Sequence, residues 1–370
     1  MKKNILIIDD SALMRRVLSD IINLDNRFYA VDFAVNGLEG LQILQTRAKE
    51  YDAVLLDINM PRMNGIELLE ELKKEQIKTT IIIVSTIAKK DAKETIRALE
   101  LGAFDFVTKP ESYLEFKNNV FSMRLMDCLI LATRANEKRV IEEIDIAKQI
   151  VKTKEKGKKK FKFDQVSKPS MNAPHNSINK LVAIACSTGG PKALHSVIPK
   201  LSKNLDASVL VVQHMPGGFT KSLADRLNEL SELTVKEAED GEFIQKGIVY
   251  VAKGGCQMRL KQDEKGQQYL TVTTEPARHG LLPCADIMYE SLEELNVDQI
   301  ICVVLTGMGG DGTAGISKLY KKQKLHVIAQ NEETSIVYGM PKVLKESGYA
   351  NEILALNDIS DAIMKNVGVY

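Results

Sequence analysis

A serine, a histidine and an aspartate each stand just past an apolar run in the C-terminal half of the chain. Ser187 follows LVAIAC, His214 follows SVLVVQ, and Asp311 lies in GMGGDG, after QIICVVLT. Short apolar runs bounded by Gly and Pro read as buried strands. If these strands are parallel, all three side chains gather on one carboxyl edge of a sheet. There a serine supplies a nucleophile, a histidine its general base, and a carboxylate fixes the base's tautomer. The order Ser…His…Asp differs from that of the familiar hydrolase folds, and Ala185 stands where a G-x-S-x-G elbow has its first glycine.

Each member has a competing reading. Ser187 could cap the helix whose first turn holds Pro191, and Asp311 the helix starting near Thr313. His279, in PARHGLLP, rivals His214, whereas His175, His195 and His326 fall in a linker, a helix and a strand start. No close-spaced His/Cys set argues for zinc. GMGGDG also spells G-x-G-x-x-G, and Glu332 lies about 20 residues on, where a dinucleotide fold has its ribose-binding acid. Against that reading, Asp311 would face a pyrophosphate without a counter-charge. The loop also follows a late strand, with one strand left, whereas the fingerprint opens its fold.

A second constellation lies in the N-terminal half. Asp9 and Asp10 end the run NILIID, Asp57 ends AVLLD, Thr86 follows TIIIVS, and Lys109 follows DFVT. On one edge of a parallel sheet three carboxylates repel unless a cation sits among them, and Mg²⁺ suits hard oxygen ligands beside phosphate. A carboxylate held there can attack a phosphoryl donor and become an aspartyl phosphate. Lys109 would pair with the new charge, and the Thr86 hydroxyl would bond a phosphate oxygen.

Both constellations need sheets to position them. Residues 2–122 alternate apolar runs with amphipathic segments of helical period, which reads as repeated β-α units, with Ser11 placed to cap the first helix. From 123 to 178 a helical extension passes into a stretch dominated by lysines 152, 154, 156, 158, 159, 160, 162 and 168. This reads as a solvated tether. Nucleic-acid binding is disfavoured, because aromatic interleaving is limited to Phe161 and Phe163. From 179 to 370 the alternation resumes, interrupted by QMRLKQDEKGQQYLTVTT, which reads as an antiparallel hairpin turning at Glu264 to Gly266. A helix is expected over Ala285 to Leu295, and after LHVIAQ one last helix. The fold class is α/β: two doubly wound parallel-sheet domains, the first flavodoxin-like, the second Rossmann-like with a β-hairpin insertion.

Composition narrows the function classes. A net charge of +1 sets up no global field to recruit nucleic acid or anionic membrane. No apolar run approaches the ~18 residues of a membrane span, and the N-terminus reads as a strand rather than a secretory signal. Five scattered cysteines without C-x-x-C spacing suit reduced thiols in a cytoplasmic setting.

The motifs carry a more specific likeness. IDDS, LLDINMPRMNG, VSTIA and DFVTKP, across Lys2 to Lys117, resemble the phospho-receiver domain of two-component response regulators. The resemblance implies Asp57 as phosphoacceptor, with Asp9, Asp10, Asp57 and the Asn59 carbonyl holding Mg²⁺. It implies Thr86 and Lys109 as the signalling pair and Phe106 in the aromatic switch position. Asn64 stands where that family often has Asp. From Leu181 onward, IACSTGGPKAL, VVQHMPGGFTKSLADRLN, EAEDGE, VYVAKGG, LTGMGGDGTAGI and IAQNEETSIVYGMPK resemble the catalytic domain of the chemotaxis protein-glutamate methylesterase (CheB) family.

That second resemblance implies Ser187 as nucleophile, His214 as base and Asp311 as orienting acid, with backbone amides near Thr188 and Met308 forming an oxyanion hole. Gln257 and Cys284 depart from the family's usual His and Ser. The implied activity is phosphorylation-activated hydrolysis of γ-glutamyl methyl esters, and deamidation of glutamine, on methyl-accepting chemoreceptors. A chemotaxis histidine kinase would be the phosphodonor, and the esterase would need no dissociable cofactor. The alternative is a response regulator whose output domain only binds a dinucleotide.

Overall fold

Among the described residues, most apolar runs of four to seven residues are followed by an amphipathic segment, and the two become a buried strand and a covering helix. The structure, a computed structural model, describes residues 2–86, 88–110, 120–134 and 178–369. The chain divides into one compact unit through Lys138 and another from Arg139. The lysine-rich tether, with His175, lies outside the described residues.

The first unit runs β1 (Lys3–Ile8), α1 (Ala12–Leu24), β2 (Phe28–Ala34), α2 (Gly37–Arg47), β3 (Ala53–Leu56), α3 (Gly65–Lys74), β4 (Ile81–Ser85), α4 (Lys89–Leu101), β5 (Asp105–Thr108) and α5 (Val120–Thr133). Its strands lie in the order β2-β1-β3-β4-β5, every pair parallel. That is the flavodoxin-like order, with the reversal of direction beside β1. Local chemistry sets the helix starts. The Ser11 side chain accepts from the Met14 amide, and Asn64 forms a capping box with Glu67. Phe121, Leu125 and Leu129 of α5 pack into the same core as Ile5, Leu55 and Val107, so the core of this unit runs past residue 122.

The second unit runs β6 (Lys180–Cys186), α6 (Gly190–Val197), β7 (Ser208–Gln213), α7 (Phe219–Leu230), β8 (Thr234–Glu237), β9 (Ile248–Val251), β10 (Gln257–Gln262), β11 (Gln268–Thr273), α8 (Ala285–Ser291), β12 (Gln299–Val304), α9 (Thr313–Leu319), β13 (Leu325–Gln330), α10 (Met340–Ser347), β14 (Glu352–Leu354) and α11 (Ile359–Val367). Seven strands form one parallel sheet in the order β14-β13-β12-β6-β7-β9-β8, and β10 and β11 pair as the expected antiparallel hairpin.

Three expectations need correction. The GMGGDG loop is followed by two strands, not one, and the expected last helix is two, α10 and α11, separated by β14. Both β14 and β8 are short edge strands with part-exposed side chains, too brief to show a period in sequence. The helix expected to Leu295 ends at Ser291.

Strand β6 sits at the centre with β7 on one side and β12 on the other, which makes its carboxyl end the switch point of the sheet. Helix α8 is fastened to β6 and β12 within their length. The hydroxyl of fully buried Tyr289 lies 3.2 Å from the Ala183 carbonyl of β6 and 3.0 Å from the Val303 carbonyl of β12. Tyr289→Phe is expected to cost about 1 kcal/mol of stability, read as a lower urea midpoint. An unchanged midpoint would show that this hydroxyl adds nothing.

Candidate active site

The three adjoining strands β12, β6 and β7 deliver the residues singled out in sequence. Ser187 is the first residue beyond β6, and its amide donates to the Thr306 carbonyl at 3.0 Å. His214 is the first beyond β7, its amide donating to the Cys186 carbonyl at 3.1 Å. Asp311 projects from the loop between β12 and α9 and meets His214 Nε2 at 2.8 Å through Oδ2. The two side chains are only 10% and 6% exposed.

Neither competing cap reading describes the local structure. Gly189 precedes α6 and Gly312 precedes α9, and neither helix has a side-chain cap. His279 sits in an exposed stretch at φ 55°, while the His214 ring is the one bonded to Asp311. His195 engages the Pro191 carbonyl, and His326 pairs with Glu352.

Four further donors surround Asp311. The Ala285 amide reaches Oδ2 at 2.6 Å, and the amides of Asp286 and Gly312 reach Oδ1 at 2.9 and 3.0 Å. The Cys284 thiol lies 3.2 Å from Oδ1. Burial works against the charge, but the bond to His214 and its charge, with the Asp286 and Ala285 amides, outweigh burial and hold the carboxyl below the usual carboxylate range. An ionised carboxylate only accepts, so His214 Nε2 carries a proton, and when the imidazole is neutral the lone pair lies on Nδ1. The Ser187 hydroxyl has no hydrogen-bond partner among the described residues. Among the same residues, the amides of Thr188 and Met308 donate to no protein oxygen.

The glycines of the Asp311 loop serve close approach. A Cβ at Gly307 would stand 2.8 Å from the Ser187 Cβ and 3.1 Å from its amide nitrogen, and would also meet the Met340 sulfur. Gly309 and Gly312 occupy the left-handed region at φ 77° and 93°.

Two glutamines that sequence reasoning gave no catalytic place help to hold the site. Gln213, 2% exposed at the end of β7, lies with Nε2 3.0 Å from the Ser187 carbonyl and 3.3 Å from that of His214, tying the Ser187 and His214 loops together. Its signal was a polar residue ending an otherwise apolar run. Gln257, one of the departures from the family pattern, is fully buried. It accepts from the Cys284 amide at 2.8 Å and donates to the Leu281 carbonyl at 3.0 Å, so it secures the segment entering α8.

In the first unit the sheet edge brings Asp9, Asp10 and Asp57 together, with one oxygen from each within 4.8 Å of the others. Lys109 Nζ bridges two of them, 2.9 Å from Asp9 Oδ2 and 2.8 Å from Asp57 Oδ2. Burial pushes the Asp57 carboxyl up to about 6, against the pull of Lys109. Asp57 Oδ1 also accepts from the Ile58 amide at 2.8 Å. Thr86 and Asn59 turn elsewhere: the Thr86 hydroxyl bonds Asp91, and Asn59 Nδ2 donates to Asp91 Oδ1 at 2.8 Å. Phe106 is half-buried on β5. Three clustered carboxylates facing one lysine match the hard-oxygen donor set of Mg²⁺.

The CheB methylesterase family model matches residues 182–363, and that of the response regulator receiver domain matches residues 5–120. The protein-glutamate methylesterase/protein-glutamine glutaminase 1 of Syntrophomonas wolfei is 38% identical, over 98% of this chain and 99% of the relative. The chain belongs to the CheB methylesterase family. It is a hydrolase of that family with an N-terminal response regulator receiver domain. The protein-glutamate methylesterase/protein-glutamine glutaminase of Bacillus subtilis is 37% identical over 97% of both chains. Among solved structures, the Thermotoga maritima CheB methylesterase catalytic domain is 42% identical, covering 51% of this chain and 98% of that one with a TM-score of 0.49. No helix among the described residues is long and apolar enough to cross a membrane.

Gly307→Ala, by pressing a methyl group against Ser187, is expected to lower kcat for ester hydrolysis about 10- to 100-fold while the chain stays folded. A wild-type kcat in steady-state assays would contradict the close-packing account of the loop.

Proposed function

We propose that the chain is a phosphorylation-activated enzyme that removes methyl groups from γ-glutamyl methyl esters of chemoreceptors, and deamidates their glutamines, in chemotaxis adaptation in the cytoplasm. The observation that carries this reading is the buried His214–Asp311 pair beside Ser187, on three adjoining strand ends. His214 Nδ1 takes the Ser187 proton as the seryl oxygen attacks the γ-carbonyl carbon. The amides of Thr188 and Met308 stabilise the resulting oxyanion. The His214 imidazolium, stabilised by Asp311, returns the proton to the departing methoxide, and methanol leaves. Water, deprotonated by His214, then cleaves the acyl-enzyme to free glutamate and serine. A glutamine substrate follows the same course and releases ammonia.

The receiver half supplies control. Asp57 accepts a phosphoryl group from a histidine kinase, and Asp9, Asp10, Asp57 and the Asn59 carbonyl would hold Mg²⁺. When bound, the ion neutralises the crowded negative charge of carboxylates and phosphoryl oxygens. Lys109 remains paired with the phosphorylated side chain. The Thr86 hydroxyl exchanges Asp91 for a phosphoryl oxygen, and Phe106 follows in the same switch.

Mass spectrometry of a methylated receptor peptide, incubated with and without acetyl phosphate, tests both halves. Ser187→Ala should lower methanol release at least about a thousandfold, and Asp57→Asn should abolish the response to acetyl phosphate. Full demethylation by Ser187→Ala would exclude the assigned nucleophile, and an undiminished response in Asp57→Asn would exclude the assigned phosphoacceptor.

A further inference from the structure

A second carboxylate is buried directly against Asp311. Asp286, in the first turn of α8, is 5% exposed, and the triad chemistry gives it no task. Its Oδ1 accepts from the Gly312 amide at 2.9 Å and the Gly315 amide at 2.7 Å. Its own amide donates to Asp311 Oδ1 at 2.9 Å. The two aspartates therefore exchange partners: Asp311 collects amides at the start of α8, and Asp286 collects amides at the start of α9. The exchange depends on close contact. A Cβ at Gly315 would stand 2.8 Å from the Asp286 carbonyl oxygen and 3.0 Å from its Cα. Gly312 adjoins Asp311 and is left-handed at φ 93°, so whatever fixes its amide fixes the direction in which the Asp311 side chain leaves the backbone.

We propose that Asp286 is the positioning residue of the acid loop: by accepting the Gly312 and Gly315 amides it holds Asp311 at bonding distance from His214. This rests on the reading of Ser187, His214 and Asp311 as the triad. Asp286 touches neither substrate nor the reacting atoms and acts only through Asp311. What the two amides require of it is an acceptor oxygen at a fixed place. Burial, and after it the neighbouring Asp311 charge, push its carboxyl up, so ionisation at this position is opposed by its surroundings. A neutral acceptor of the same shape should therefore serve nearly as well, and a displaced carboxylate should not.

The test compares Asp286→Ala, Asp286→Asn and Asp286→Glu in the full chain, measuring kcat, KM and melting temperature on a methyl-esterified glutamyl peptide. Wild type and Ser187→Ala run alongside. The Ala variant should lose at least about tenfold in kcat with KM within about twofold, because misplacing Asp311 impairs proton transfer and not substrate binding. The Asn variant, which keeps the acceptor, should recover most of kcat, and the Glu variant, which keeps the carboxyl but moves it, should not. If the Ala variant does not fold, the order of kcat, Asn above Glu, decides in its place. A wild-type kcat for Ala, Glu above Asn, or equal losses of kcat and melting temperature in all three variants would overturn the positioning role. Activity retained by Ser187→Ala would instead show that the triad reading itself is wrong, and the proposal would fall with it.

Discussion

A carboxylate nine-tenths buried keeps its charge only if donors replace the water it has lost, and Asp311 is such a group. Its partners arrive from different places: an imidazole from the end of β7, two amides from the start of α8, one from its own loop and a thiol from Cys284. Satisfying one buried charge thus locks a helix, a hairpin-linked loop and two strand ends into one arrangement. The same demand sets the chemistry. With every strong donor around it committed, Asp311 stays an acceptor and Nε2 of His214 stays protonated, so in the neutral ring the lone pair belongs to Nδ1.

The sheet makes that convergence possible. Because β7 and β12 flank β6, their loops rise on either side of Ser187 and meet across it, as at the switch point of any doubly wound sheet. Small residues let the backbones close in, most directly at Gly307, which passes against Ser187. Gln213 ties the carbonyls of Ser187 and His214 together, so the spacing between the two loops is held from below as well as across the top. The receiver domain uses the same principle with different residues. Its carboxylates collect at the ends of β1 and β3, where Lys109 from beyond β5 balances two of them.

Much of this was legible because it is written in local pattern. Uninterrupted apolar runs such as SVLVVQ mark buried parallel strands, and the residue just past each run is where an α/β fold puts its chemistry. Ser187, His214 and Asp311 could be read that way, as could Asp9, Asp57 and Lys109. What sequence did not disclose depends on which elements touch across the sheet. Asp286 lies near no glycine-rich signature, and Gln257 closely follows the glycines of VYVAKGG without showing what it would bond, so their parts follow only once α8 packs beside α9 and the β10–β11 hairpin. Edge strands β8 and β14 are too short to show a period. The bond from Thr86 to Asp91 spans a loop-to-helix turn that no periodicity encodes. GMGGDG shows the limit of motif reading: the glycine spacing meets a dinucleotide fingerprint locally, yet its aspartate is turned to a histidine from another strand.

The central claim is that Asp311 fixes the tautomer of His214, and nitrogen-15 NMR of the His214 ring at neutral pH reads that tautomer directly. A proton on Nε2 coupled to a free, basic Nδ1 is the predicted result, and in Asp311→Ala that single tautomer should give way to a mixture. A proton resident on Nδ1 in the wild-type chain would contradict the account, since the lone pair would then face Asp311 and no base would remain for Ser187.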